Sequence, residues 1–130
     1  RLQRVQIRLA RDFLARIASW KLRAGTFSSL EIIANNPGIS QAMLSSVVGL
    51  DQSAIVPLVD ELEARGWVLR TRSKTDRRRN HLSITDQGKA ELDLLAAQML
   101  ESESAAMAAL TPQECALIGR ALDKVYDAYC

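Results

Sequence analysis

Six cations, Arg70, Arg72, Lys74, Arg77, Arg78 and Arg79, fall within ten residues of this chain, with a single acid, Asp76, among them. Guanidinium forks and an ammonium group at this density match phosphate oxygens, so the chemistry open to the segment is neutralisation of a polyanion. A solvated charged hairpin would use the same residues with no partner at all. Catalysis has no comparable support. The lone His81 has no Ser or Cys partner in its sequence context, no Gly-rich phosphate loop occurs, and Asp60 and Glu61 occupy adjacent rather than facing helix positions. One histidine and two cysteines make no zinc ligand set. The expectation is no enzyme, no cofactor and no metal.

The net charge of +2 hides strong local asymmetry. Residues 1–25 and 65–85 each carry seven Lys/Arg against one Asp, whereas 26–64 has five acids and no cation, and 86–130 has three cations against eight acids. Such segregation is the electrostatic footprint of a nucleic-acid binder. With 48% apolar residues and three prolines across 130 positions, the composition is that of one folded domain without a low-complexity tract. No apolar run reaches the roughly 18 residues that span a bilayer, and no signal-peptide core opens the chain, so a cytoplasmic, non-membrane protein is expected, with residues missing before Arg1. Cys115 and Cys130 on one helix would lie about 22 Å apart, beyond the reach of a disulfide.

The cationic segment must be held by its flanks. Leu2, Val5, Leu9, Phe13, Ile17 and Trp20 recur every three or four residues, predicting a helix over 1 to about 21, with Arg1, Arg4, Arg8 and Arg11 on its other side. A second helix is expected over about 28–35, closed by Asn36-Pro37-Gly38. Ser40 is a good N-cap for a helix to about Val48; Gly49 suits a left-handed turn, Asp51 caps a helix over about 52–65, and Gly66 closes it. Short strands over 67–69 and 82–84 then flank the charged loop. The fold class is mainly α with a small β-wing (α+β), a winged helix-turn-helix. Thr85 is placed to cap a long helix over about 86–109 with Leu92, Leu95, Met99 and Leu100 on one face. Thr111-Pro112-Gln113-Glu114 forms a capping box for a last helix bearing Ile118, Leu122, Val125 and Tyr129. The apolar surface of the terminal helices exceeds what a small winged domain needs. A single domain over 1–130 is expected, its DNA-binding part at about 28–85 and its dimerisation helices at about 1–21 and 86–130, paired with a second copy.

The order of elements and the residues at their joints resemble the MarR family of bacterial winged-helix regulators. The matches are Leu50-Asp51-Gln52-Ser53, Leu58-Val59-Asp60-Glu61-Leu62-Glu63-Ala64-Arg65-Gly66, Asp76-Arg77-Arg78, and Leu82-Ser83-Ile84-Thr85 with Gly88 after it. The resemblance implies a homodimer on a pseudo-palindromic double-stranded operator, usually a repressor released by a small, often aromatic, ligand. Arg78 matches the family's wing-tip arginine, and Asp76 is its expected orienting partner. Family ligands lie between the first helices and the DNA-binding lobe. Arg8 or Arg11 would there hold an anion, an aromatic acid or its coenzyme A thioester, beside Trp20 and Phe27. A solvated stripe and ordinary core aromatics are the alternative readings of those four residues.

For DNA contact the expected set is Ser40 and Gln41 at one helix start, Gln52, Ser53, Val56 and Pro57 on the recognition helix, and Arg70, Arg72, Lys74, Asp76, Arg77, Arg78 and Arg79 in the wing. The recognition helix has no cation before Arg65, so base reading would rest on Gln52 with adenine and on apolar contact with thymine methyls, and weak base specificity with shape reading in the wing is expected. Pro57 removes one helical hydrogen bond and is able to bend the helix without breaking the assignment. Trp67 is expected in the core and His81 in a local hydrogen bond or a phosphate contact. Two rival readings remain: a winged-helix module that meets an acidic protein partner, and a redox sensor acting through Cys115 or Cys130. The family's peroxide sensors carry their cysteine near the first helix, where this chain has none.

Overall fold

A computed structural model describes residues 1–72 and 80–129, with Arg72 described by its backbone only. The elements are α1 (Leu2–Arg16), a 3-10 turn (Ala18–Trp20), α2 (Thr26–Asn35), β1 (Ile39–Ser40), α3 (Gln41–Val48), α4 (Gln52–Ala64), β2 (Val68–Arg72), β3 (Asn80–Ile84), α5 (Asp86–Met107) and α6 (Pro112–Tyr129). They form two compact bodies, one of Arg1–Arg16 with Gln98–Cys130, the other of Ile17–Ala97.

The larger body contains the region expected to bind DNA. Its three strands run antiparallel in the order β1-β3-β2, with Ile39 opposite Leu82 and Arg70 opposite Leu82 from the other side. Leu30 and Ile33 of α2, Leu44 of α3, Ile55, Leu58, Val59 and Leu62 of α4, and Trp67, Val68 and Leu82 of the sheet form one buried cluster. On α4 the buried residues recur at spacings of three and four, which leaves Gln52, Ser53, Ala54, Val56 and Asp60 facing out.

Junction chemistry follows the sequence closely. Ser40 Oγ accepts from the Met43 N–H at 3.1 Å, and Gly49 adopts φ 72°, the left-handed turn between α3 and α4. Thr85 Oγ1 accepts from the Gly88 N–H at 2.9 Å and donates to the Gly66 carbonyl at 2.7 Å, so one hydroxyl caps α5 and ties it to the end of α4. Gly88 is required by space. A Cβ there would overlap the Trp67 carbonyl oxygen and stand 2.9 Å from its carbon. Thr111 and Glu114 form the reciprocal box, the Thr111 N–H donating to Glu114 Oε2 at 2.8 Å and the Glu114 N–H to Thr111 Oγ1 at 3.3 Å. The Thr111 backbone and hydroxyl hydrogen bonds hold the Glu114 carboxyl below its ordinary value.

Some expectations are corrected. The first helix ends at Arg16 rather than near residue 21, and the chain tightens into the 3-10 turn before Lys21 takes φ 52°. Tertiary contact overrides periodicity there: the Trp20 ring packs on the core cluster and donates to Glu91 Oε2 at 3.1 Å, while the Trp20 carbonyl accepts from Arg65 at 3.1 Å. Asp51 holds the N-cap position with extended backbone, but its carboxylate makes no cap hydrogen bond. The strands are longer than expected, and β1 is an added one. In α5, Leu100, expected on the apolar face, is 70% exposed.

The smaller body has an unusually bare last helix. No residue of α6 is buried, and Leu117, Ile118, Leu122, Val125, Tyr126 and Tyr129 are all exposed, as are Leu2, Val5, Ile7 and Leu14 of α1.

Candidate nucleic-acid interface

The chain turns through 113° between α3 and α4, within the range of a helix-turn-helix. The turn is fixed by Gly49 and by the Ser45 hydroxyl, which donates to the Leu50 carbonyl at 2.6 Å. It sets the N-termini of both helices on one side of the body. There they border a groove of about 530 Å³ lined by Ser40, Gln41, Ala42, Met43, Ser46, Gln52 and Asn80. Three of the expected contact residues, Ser40, Gln41 and Gln52, therefore meet in one place. Asn80 was not anticipated. It enters through the register that sets the start of β3 beside β1, with Ser40 opposite His81, and a two-residue strand such as β1 is too short to show alternation in the sequence.

Among the described residues the groove has no cation in its wall. From Ser40 to Val59 the sequence carries a single charge, Asp51. Ser53 and Val56 are exposed on α4, with Val56 at 40%, and Pro57 is half-buried beside them.

Acids gather at the other end of α4, and each is met by an arginine. Glu61 accepts from Arg23 Nε at 2.9 Å and from Arg65 Nη2 at 2.9 Å, and the Arg65 guanidinium lies 5.1 Å from the centroid of the Trp67 ring. Arg70 donates from Nη2 to Asp60 Oδ1 at 2.6 Å, and its Nε lies 3.5 Å from Glu63 Oε2, an ion pair without hydrogen-bond alignment. The Arg70 side chain is only 21% exposed. This departs from the expectation of a free phosphate ligand, and the reason is local: β2 leaves α4 through Gly66 and brings position 70 back alongside Asp60 and Glu63. Lys74, Asp76, Arg77, Arg78 and Arg79 lie outside the described residues, as does the side chain of Arg72. His81 Nδ1 is 2.7 Å from the Gly38 carbonyl oxygen and donates to it in the matching tautomer, the local bond expected of it. Trp67 is buried in the core.

The four residues expected to hold an effector divide between the bodies, Arg8 and Arg11 in one, Trp20 and Phe27 in the other. Arg8 donates to Asp12 at 3.1 Å, and both line a cleft of about 480 Å³ with Arg16, Glu101, Ser102 and Ser104, where Arg16 and Glu101 pair at 3.9 Å. Arg8 thus has its charge already matched. Arg11 is exposed. Trp20 and Phe27 are half-buried, Trp20 against the core, in keeping with a structural role for its ring. Cys115, in the first turn of α6, is half-buried and in no disulfide, and Cys130 is outside the described residues.

Comparison with known proteins joins these features to a family. The family model described as MarR family matches residues 22–79. A "putative transcriptional regulatory protein for hcr operon" from Thauera aromatica is 33% identical over 126 residues, 96% of this chain and 76% of that protein. Among solved structures, the transcriptional repressor CouR bound to a 23-mer DNA duplex superposes with a TM-score of 0.82 at 31% identity, covering 96% of this chain and 89% of that one. A crystal structure of MarR has the same fold, with a TM-score of 0.85 at 23% identity over 98% and 93% of the two chains.

Proposed function

The chain belongs to the MarR family of transcriptional regulators, DNA-binding proteins and not enzymes, and on that premise we propose that it is a homodimeric repressor released from its operator by a small anionic ligand. The observation that carries the DNA-binding surface is the convergence of Ser40, Gln41, Gln52 and Asn80 on one groove at the starts of two helices set 113° apart. In this reading α4 enters the major groove by its N-terminal residues, and the wing, with Arg72, Lys74, Arg77, Arg78 and Arg79 and its Asp76, follows the backbone into the flanking minor groove.

Dimerisation is supported by the exposed Leu, Ile, Val and Tyr side chains of α1 and α6, apolar surface of the kind that a second copy would cover. Repression is supported by the likeness to CouR, which is described as a transcriptional repressor. For the ligand, Arg11 is the better anion partner because Arg8 is already paired; an aromatic acid or its coenzyme A thioester suits a planar guanidinium fork. Such a regulator works in the cytoplasm, where its operator lies.

The test is fluorescence anisotropy on duplex DNA from upstream of the protein's own gene, beside a scrambled duplex, with light scattering of the same sample. A dimer mass and a preference of at least about 10³ for the native duplex are expected. A monomer at micromolar concentration would overturn the dimeric mechanism. Equal binding to both duplexes, with capture of an acidic protein instead, would favour the interaction-module reading. Benzoate, hydroxycinnamate and their coenzyme A thioesters, added to the specific complex, test the release step.

A further inference from the structure

The surface of α4 that faces out is unusual for a helix that reads bases. The commonest specific contact in the major groove is Arg or Lys on the O6 and N7 of guanine, and an acid can accept from the N4 of cytosine. Neither is open to this helix. Arg65 is turned onto Glu61, the Trp20 carbonyl and the Trp67 ring, and Arg70 onto Asp60 and Glu63. Asp60, the acid on the outer stripe, is held in the same pair. The outer stripe therefore offers the amide of Gln52, the hydroxyl of Ser53 and the methyl groups of Ala54 and Val56, with Val56 one turn beyond Gln52 on the same face.

Resting on the reading of this chain as a DNA-binding regulator, we propose that α4 recognises its half-site through thymine methyl groups packed on Val56, beside an adenine held by Gln52. Thymine alone among the bases presents a methyl group in the major groove, and adenine alone matches the paired donor and acceptor of a glutamine amide. The half-site is thus A·T at the positions under Gln52 and Val56. Removing one methyl from such a contact loses about fourfold in affinity, the worth of one buried carbon.

The experiment takes the tightest duplex selected from a randomised pool and replaces thymine by deoxyuridine position by position. Hydrogen bonds, backbone charge and the minor groove are unchanged by that exchange. The expected result is an approximately fourfold loss at one or two positions in each half-site, and more than tenfold when both half-sites are substituted. In Val56→Ala, an exposed helix position at which alanine folds well, the gap between the thymine and deoxyuridine duplexes should shrink, because the shortened side chain covers less of the methyl. A selected duplex with no deoxyuridine penalty, or a penalty that persists undiminished in Val56→Ala, would overturn the proposal while leaving the regulator reading intact. Failure of the pool to yield any duplex preferred over scrambled DNA would overturn both.

Discussion

Arg70 at the base of the wing holds Asp60 on the recognition helix, Nη2 to Oδ1 at 2.6 Å, with Glu63 on its other side. A residue that sequence alone places among the phosphate ligands thus serves first as the counter-charge of two acids that would otherwise stand near DNA. Arg70→Ala should weaken operator binding roughly fivefold by uncovering those acids, without changing the slope of affinity against salt. Arg78→Ala should instead lower that slope by about one unit. Adding Asp60→Asn and Glu63→Gln to Arg70→Ala should restore most of the loss. Salt titrations of the four proteins decide the matter; a slope that falls by one in Arg70→Ala would make Arg70 a direct phosphate contact.

Gly88→Ala should be severely destabilising. Its Cβ would meet the Trp67 backbone, which is held by Thr85 and the sheet and has little room to retreat. A loss of about 2–3 kcal/mol is expected, seen as a lower urea midpoint at constant m-value.

Thr85→Val keeps the shape of the side chain and loses both the cap on α5 and the bond to the Gly66 carbonyl. Chemical denaturation should show a loss of about 1–2 kcal/mol. Thr85→Ser should recover most of it.

The box at the start of α6 makes a signed pH prediction. Because its hydrogen bonds from Thr111 lower the Glu114 pKa in the folded state, the stabilisation is fully present above the ordinary value of 4.5 and is lost as pH falls through the lowered one. The stability difference between wild type and Glu114→Ala should therefore be constant from pH 7 to about 5 and shrink in more acidic solution. Glu114→Gln, which does not titrate, should show no such dependence in urea melts across that range.

Much of the fold was legible because its joints are chemically distinctive: Ser40, Gly49, Thr85 and the Thr111–Glu114 box each announce a helix end, and each has the bond or, for Gly49, the left-handed backbone expected of it. What could not be read came from contacts between residues far apart in the chain. The early end of α1 follows from Trp20 meeting Glu91 and Arg65, and neither partner is visible in a helical period. Asn80 joined the groove through strand register, and the pairing of Arg70 with two acids on a neighbouring helix could not be read from its place in the cationic run. That Ser40, Gln41 and Gln52 share one groove was legible by position, since they start two helices joined by a tight turn, whereas the pairing of each charge depended on its neighbours.

The absence of any cation between Ser40 and Val59 also bears on how the protein finds its site. Attraction to DNA of any sequence comes from cations elsewhere, so it determines how long the molecule stays on a random stretch while it scans. If Gln52 and Val56 read the half-site as proposed, discrimination there comes from neutral groups whose contacts release no counterions. Raising the ionic strength should therefore shorten each scanning visit and weaken binding everywhere by a similar factor, while the ranking of one site over another stays nearly constant.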